Sequence, residues 1–175
     1  GNFLGLLPQS LVGKTRFVAT ELDSITAGIA QLLYPQESIY NAPFESLALP
    51  SDYFDAMVGN PPFGNISLTF PNVPGINRFS MHNQFVLASL DALAPGGLQA
   101  FVVSRFLMDA QSEEVRKMIA DQAKLLGAIR LPGTAFLGNA NTEVVTDLIF
   151  LQKYTKEEQE NWDNRRAVSK ASDSI

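Results

Sequence analysis

The tetrapeptide Asn60-Pro61-Pro62-Phe63 presents hydrogen-bond acceptors and almost no donors at the end of an apolar run. Proline has no backbone N–H and a fixed φ, and it pushes the preceding residue into an extended conformation. The carbonyls of Asn60 and Pro61 should therefore be held stiffly, while the Asn60 side chain adds a further oxygen. A planar group with two N–H donors, such as the exocyclic amine of adenine, suits such a corner.

This pattern predicts chemistry on an amine. The nitrogen lone pair of an aromatic amine is delocalised into the ring, which makes the amine a poor nucleophile. Two acceptors that bind its two hydrogens favour a pyramidal nitrogen with its lone pair aimed at an electrophile. This arrangement is catalytic if it fits the transition state better than the planar ground state. Phe63 offers a face on which the ring can stack. The alternative interpretation is that Asn-Pro-Pro is only a tight turn.

The elements around the corner alternate between strands and helices. Strands are predicted at 16–23, 38–40, 55–59, 98–104, within 124–132 and at 142–153, and helices at 24–34, 82–94 and 112–123, with Ser24 and Ser112 as caps. Several of the strands are continuously apolar, which is typical of a mostly parallel sheet covered on both faces. Ligands bind such sheets beyond the carboxyl ends of the strands. Glu21, Phe44 and Asn60 are expected at that edge.

Composition limits the other possibilities. The chain has 175 residues, no cysteine and a single histidine, so thiolate and multi-histidine metal sites are excluded and no metal is predicted. No apolar run reaches the roughly 20 residues that span a bilayer. We see no signal peptide and expect a cytoplasmic protein. The net charge of −5 disfavours a nucleic-acid binder without excluding one. The polar segment 154–175 is predicted to be a solvated helix, a disordered tail or a linker.

The run DAMVGNPPFG resembles the signature of amino-methyltransferases that use S-adenosylmethionine, above all the DNA adenine-N6 methyltransferases. The segments LDALAPGGLQAFVVS and GAIRLPGTAFLGNANTEVVTDLIFLQK resemble the methylase part of large bacterial, plasmid and phage proteins. The resemblance implies a Rossmann-like, doubly wound α/β methyltransferase fold with its first strand missing. It also implies a catalytic domain at 1–153 that is partial at its N-terminus and is joined to other domains of a larger polypeptide.

The resemblance assigns roles to individual residues. Asn60, Pro61, Pro62 and Phe63 match the catalytic corner, with Phe63 in place of the usual tyrosine. Phe136 resembles an aromatic residue that packs on the flipped target base. S-adenosylmethionine is the implied cofactor, and the residues expected to bind it are Gly1, Asn2 and Phe3 in the tail of a glycine-rich loop, Glu21 and Leu22 at the ribose, Phe44 at the adenine, and Asn60.

Three further side chains near predicted strand or helix ends have open roles. His82 is interpreted as a cap or packing residue rather than a general base. Arg105 and Arg130 are interpreted either as phosphate contacts or as ordinary surface arginines.

The function implied by the resemblance is methyl transfer to the exocyclic amine of a flipped adenine in DNA. Two alternatives remain open. The same corner serves enzymes that methylate RNA bases or protein glutamine, and the domain could also be a catalytically silent module of a larger protein.

Overall fold

The computed structural model describes residues 2–135 and 145–172, with side chains for 3–135 and 145–167. Two of the predicted site residues, Gly1 and Phe136, lie outside the described residues. The chain divides into two compact units, one ending at Ala48 and the other beginning at Leu49. No helix in the described part of the chain is both long enough and apolar enough to cross a membrane.

The first unit is built around two parallel strands. Strands β1 (Val18–Thr20) and β2 (Ser38–Tyr40) pair with Ala19 opposite Ile39. A short helix, α1, and a 3-10 turn precede them, helix α2 lies between them, and a second 3-10 turn follows. Their bounds are α1 Asn2–Gly5, α2 Ser24–Leu33 and 3-10 turns Gln9–Leu11 and Phe44–Ser46.

The cap of α2 corrects one prediction. The capping residue is Asp23 rather than Ser24, because an Asp23 carboxylate oxygen accepts the Thr26 N–H at 2.7 Å. This backbone hydrogen bond lowers the pKa of Asp23, as expected for a carboxylate that satisfies an orphan donor at a helix start.

The second unit contains a four-stranded sheet in the order β3-β4-β6-β5. Strands β3 and β4 are parallel, and β6 runs antiparallel to both β4 and β5. The predicted α/β fold is confirmed, and β6 makes its sheet mixed. The elements of this unit are β3 Phe54–Gly59, 3-10 turn Ile76–Arg78, α3 Met81–Ala92, β4 Leu93–Ser104, α4 Phe106–Asp109, α5 Glu114–Ala120, β5 Ala123–Arg130, β6 Thr146–Lys153 and α6 Lys156–Ser172.

The core of this unit lies between α3 and the central strands. Helix α3 is buried almost all round, and β4 alternates buried and half-buried side chains. The buried apolar residues here include Val86, Leu87, Leu90, Leu93, Phe101, Val103, Ile149 and Leu151. β3 forms an edge of this four-stranded sheet, and its Val58 side chain is half-exposed.

Gly97 allows β4 to approach β3 closely. A Cβ atom at this position would lie 2.8 Å from the Ala94 carbonyl oxygen and 3.0 Å from that of Phe54. Both neighbours are backbone atoms, which cannot swing aside as a flexible side chain can. Only glycine therefore fits where β4 comes alongside the start of β3.

The polar segment after Lys153 begins with a capped helix. Thr155 accepts the Glu158 N–H at 3.2 Å, and a Glu158 carboxylate oxygen accepts the Thr155 N–H at 3.0 Å, which is the reciprocal capping box. The Tyr154 and Trp162 rings lie 5.8 Å apart, and Lys124 on β5 pairs with Glu158 at 2.6 Å. Helix α6 therefore packs on the end of this unit rather than extending from it as a tail.

Candidate active site

The Asn60–Phe63 corner follows directly after β3, at the carboxyl end of the parallel β3–β4 pair. Gly59 is the last paired residue and lies opposite Phe101. Pro61 is buried, whereas the flanking Asn60 and Pro62 are exposed. Within the described residues, the Asn60 amide forms no hydrogen bond. The buried proline anchors the bend, so that the neighbouring Asn60 amide remains accessible to a ligand.

Phe63 points an aromatic ring out of the same corner. Its side chain is 43% exposed, and its ring meets the imidazole of His82 edge to face, with centroids 5.9 Å apart and planes at 74°. His82 is only 5% exposed, and burial lowers its pKa. It is therefore neutral at pH 7 and packs against Phe63, in agreement with the predicted packing role.

The N-terminus of α3 fixes the end of the corner. The Met81 N–H, an orphan donor of the first helical turn, donates to the Gly64 carbonyl oxygen at 2.9 Å. Gly64 has a φ of +155°, which favours glycine at this step. The Ser80 hydroxyl lies 3.3 Å from His82 Nε2, while His82 Nδ1 and Asn83 Oδ1 are buried without partners in the described part of the chain.

Except for Asn60, which lies in the second unit, the predicted cofactor residues that the structure describes lie in the first unit. Asn2 and Phe3 belong to α1, and Phe44 begins the 3-10 turn after β2. Glu21 comes directly after β1, half-buried, and its Oε1 accepts the Asp23 N–H at 3.1 Å. Leu22 beside it is exposed. The sequence thus placed Glu21 correctly at a strand end, and its carboxylate is oriented by the turn that caps α2.

Asn41, the residue directly after β2, joins two segments of the first unit. Its side-chain N–H groups donate to the carbonyl oxygens of Glu21 and Leu22, each at 3.0 Å. The amide thus joins the segments that follow β1 and β2. Both of its hydrogens are used within the protein, so they are not free to bind a ligand in this arrangement.

The two candidate phosphate contacts have different surroundings. Arg130 binds Asp147 through two hydrogen bonds of 2.9 and 3.0 Å and reaches Asp109 at 2.9 Å. Hydrogen bonds to these carboxylates raise the pKa of Arg130, and the hydrogen bond from Arg130 lowers the pKa of Asp109. The interpretation of Arg130 as a phosphate contact is not supported, because its guanidinium is committed to this cluster. Arg105 is exposed, with its guanidinium 5.0 Å from the centre of the Phe106 ring.

Sequence reasoning missed Gln84. It lies on α3, fully buried, and its amide binds three backbone groups of the loop between the corner and the helix. The sequence gives little signal for it, because Gln84 directly follows two other polar residues, His82 and Asn83, at the start of α3. An amphipathic interpretation assigns such a residue to the solvent face, because the returning loop that covers it is not visible in the sequence.

The strands and helices alternate along the chain, and the parallel β3–β4 pair ends in a proline corner. The chain has the methyltransferase fold. It superposes on a protein from Listeria monocytogenes assigned to the class I S-adenosylmethionine-dependent methyltransferases, with a TM-score of 0.65 and 18% identity over 89% of this chain and 51% of that one. A modification subunit assigned to a type I restriction enzyme of Vibrio vulnificus gives a TM-score of 0.63 and 19% identity over 89% and 40%.

The chain belongs to the N-6 DNA methylase family, whose model matches residues 30–169. It is also 36% identical, over 158 residues, to the defense against restriction protein B of Escherichia phage P1. That alignment covers 87% of this chain and 7% of the phage protein. The chain thus spans only a small part of this curated relative.

Proposed function

We propose that this chain carries the catalytic corner of a DNA adenine-N6 methyltransferase that uses S-adenosylmethionine. The observation that supports this most strongly is the pattern of burial and exposure at the corner. Pro61 is buried, the Asn60 amide is exposed without a partner in the described part of the chain, and Phe63 presents a partly exposed ring beside it. Membership of the N-6 DNA methylase family supports the same reaction on the same residues.

The residues of the first unit fit a ribose and an adenine. The Glu21 carboxylate is half-buried at the end of β1, with Oε1 oriented by the Asp23 N–H, and a carboxylate there can accept from ribose hydroxyls. Asn2, Phe3, Leu22 and Phe44 would line the rest of the site. When bound, S-adenosylmethionine would supply an electrophilic methyl group with a neutral thioether as its leaving group.

The residues of the corner prepare the amine. The target adenine must leave the duplex, because its amine cannot be reached inside the base stack. Phe63 stacks on the flipped base, while the Asn60 side-chain oxygen and the Pro61 carbonyl accept the two amine hydrogens. Holding the nitrogen in the pyramidal geometry favours attack and positions it for an in-line transfer. The surplus proton leaves to water, so no general base is needed and the buried, neutral His82 can serve as packing.

The partners follow from this reaction. DNA is the substrate, and other segments of a longer polypeptide would supply sequence recognition, since the chain is acidic overall and spans a small part of its phage relative. A DNA substrate would place the protein in the cytoplasm.

The test is methylation by the intact protein with labelled S-adenosylmethionine, offered duplex DNA, RNA or a glutamine-containing peptide. Asn60→Ala should lower the turnover number on DNA by about 100-fold or more, because one of two preorganised groups is lost. Asn77→Ala, which alters an exposed asparagine in the nearby 3-10 turn, is the matched control and should retain activity.

Three results would overturn the proposal. Full activity of Asn60→Ala would remove the catalytic assignment, and label transfer only to RNA or peptide would change the substrate. If titration calorimetry with S-adenosylmethionine gave no binding heat in the intact protein, the domain would be a silent module.

A further inference from the structure

The loop that follows the catalytic corner begins with exposed side chains. Residues 64–80 connect Phe63 to α3 and contain only the 3-10 turn Ile76–Arg78 as regular structure. The side chains from Pro62 to Ser67 are exposed, and Ile66 is 60% exposed. Apolar packing therefore cannot fix the first part of this loop, because its side chains face solvent.

Gln84 fixes that part of the loop through hydrogen bonds. Its side-chain oxygen accepts the Leu68 N–H at 3.0 Å, and its amide nitrogen donates to the carbonyl oxygens of Ile66 at 2.9 Å and Phe79 at 2.7 Å. Gln84 is 0% exposed, so both of its donors and one acceptor position are satisfied away from water. A single side chain thus ties the start and the end of the loop to α3.

The position of Gln84 links the helix to the corner. The Gly64 carbonyl accepts from Met81 N–H, and Ile66 and Leu68 are held by Gln84 on the next turn of the same helix. Successive hydrogen bonds therefore hold the segment from Phe63 to Leu68 against α3. The backbone that carries its two exposed apolar side chains, Phe63 and Ile66, is hydrogen-bonded to α3 at Gly64, Ile66 and Leu68.

We propose that Gln84 is a positioning residue that holds segment 63–68 as the wall against which the target base and its flanking DNA bind. This inference rests on the proposed function, because it assigns segment 63–68 to the substrate side of the site. Gln84 itself is buried and touches no substrate. Its effect is to present Phe63 and Ile66 before DNA arrives, so that binding does not have to order the loop.

The experiment compares Gln84→Met with Gln99→Met in the intact protein. Methionine keeps the length of the side chain and removes the amide in both variants. Gln99 is the matched control because it is also buried, at 1% exposure, but donates to Val86 O on α3 at 3.2 Å and makes no bond to the loop. Both variants should lose some thermal stability.

The kinetic result should separate the two variants. Gln84→Met should raise the KM for a DNA duplex and lower kcat/KM about 10- to 100-fold, the effect of misplacing a substrate-orienting group by roughly 1 Å. The Kd for S-adenosylmethionine should stay within about twofold, and Gln99→Met should keep the KM for DNA. In hydrogen exchange, the peptide that contains Leu68 should exchange faster in Gln84→Met only, since Leu68 N–H loses its acceptor.

Several outcomes would overturn the inference. Unchanged kinetics of Gln84→Met on DNA would show that the loop position does not matter, and an equal KM change in Gln99→Met would assign the effect to general stability. If Gln84→Met does not fold, Gln84→Glu at pH 8 makes the same test, because it keeps the acceptor for Leu68 and loses both donors. A retained activity of Asn60→Ala would defeat the proposed function instead, whereas an inactive Asn60→Ala with a fully active Gln84→Met would defeat only this inference.

Discussion

Phe63 gives the most quantitative test of the proposed chemistry. Its ring is 43% exposed, and the exposed part is the surface available to a base. Stacking of a base on an aromatic side chain contributes about 1–3 kcal/mol, as measured by alanine substitution. Phe63→Ala should therefore lower kcat/KM on DNA by about 5- to 150-fold, at roughly 1.4 kcal/mol for each tenfold change.

The cost of this substitution in folding stability should be small. Full burial of a phenylalanine side chain contributes about 1.5–3 kcal/mol, and slightly more than half of Phe63 is buried. Phe63→Ala should lower the free energy of unfolding by about 1–2 kcal/mol, including part of its edge-to-face contact with His82. The protein should therefore remain folded at assay temperatures, so lost activity reports on the base contact.

The assay is steady-state methylation of a duplex by a series of Phe63 variants, with melting temperatures measured in parallel. Phe63→Tyr should remain close to the original, Phe63→Leu should fall between, and Phe63→Ala should be lowest, since the ring supplies the stacking. A target-site 2-aminopurine duplex reports base flipping through its fluorescence. If Phe63→Ala kept the original kcat/KM and the same fluorescence change, Phe63 would not contact the base.

Two further predictions concern ionisable groups away from the reacting atoms. Burial lowers the pKa of His82, so as the pH falls this histidine is protonated in the unfolded chain before it is protonated in the folded chain. The contribution of neutral His82 to the free energy of unfolding should therefore be complete above about pH 6.5 and decrease as the pH falls below that value. His82→Gln should show a smaller loss of unfolding free energy between pH 7.5 and 5.5, and an equal loss would contradict this attribution. Arg130→Met should lower the melting temperature more than Lys117→Met, because the former leaves the buried Asp147 carboxylate without its charged partner whereas the latter breaks an exposed pair on α5. Equal melting temperatures would show that Arg130 does not stabilise Asp147.

The parts of the fold that could be predicted are those set by local pattern. The sequence predicted β2 at the observed bounds and placed Glu21 at a strand end and Asn60 directly after a strand. The proline pair ends β3 by a local rule, because it removes backbone donors wherever it occurs. These are the features that carried the functional hypothesis.

The parts that could not be predicted depend on contacts distant in sequence. Residues 95–97, a proline and two glycines, look like a break between the predicted helix 82–94 and the predicted strand 98–104. The structure instead begins β4 at Leu93, because Gly97 lets the backbone pass close to Phe54. Arg130 looks like a free surface cation, yet its partners stand 21 and 17 residues away, at Asp109 and Asp147. Neither the close approach of Gly97 to Phe54 nor the ion pairs of Arg130 can be recognised from the neighbouring residues in the sequence.

The acceptors of the corner also favour a base that carries an amine over one that carries a carbonyl. In the described part of the chain, the exposed Asn60 amide has no partner, and in the free protein water can satisfy it at no cost. Once a base excludes that water, an oxygen acceptor left without a donor costs about 1–3 kcal/mol. A base with an amine supplies two donors to the Asn60 and Pro61 oxygens, whereas a base with a carbonyl at that position would set oxygen against oxygen. The stiffness given by the prolines matters here because a flexible loop could turn its oxygens away from the wrong base, and this bend, anchored by the buried Pro61, cannot.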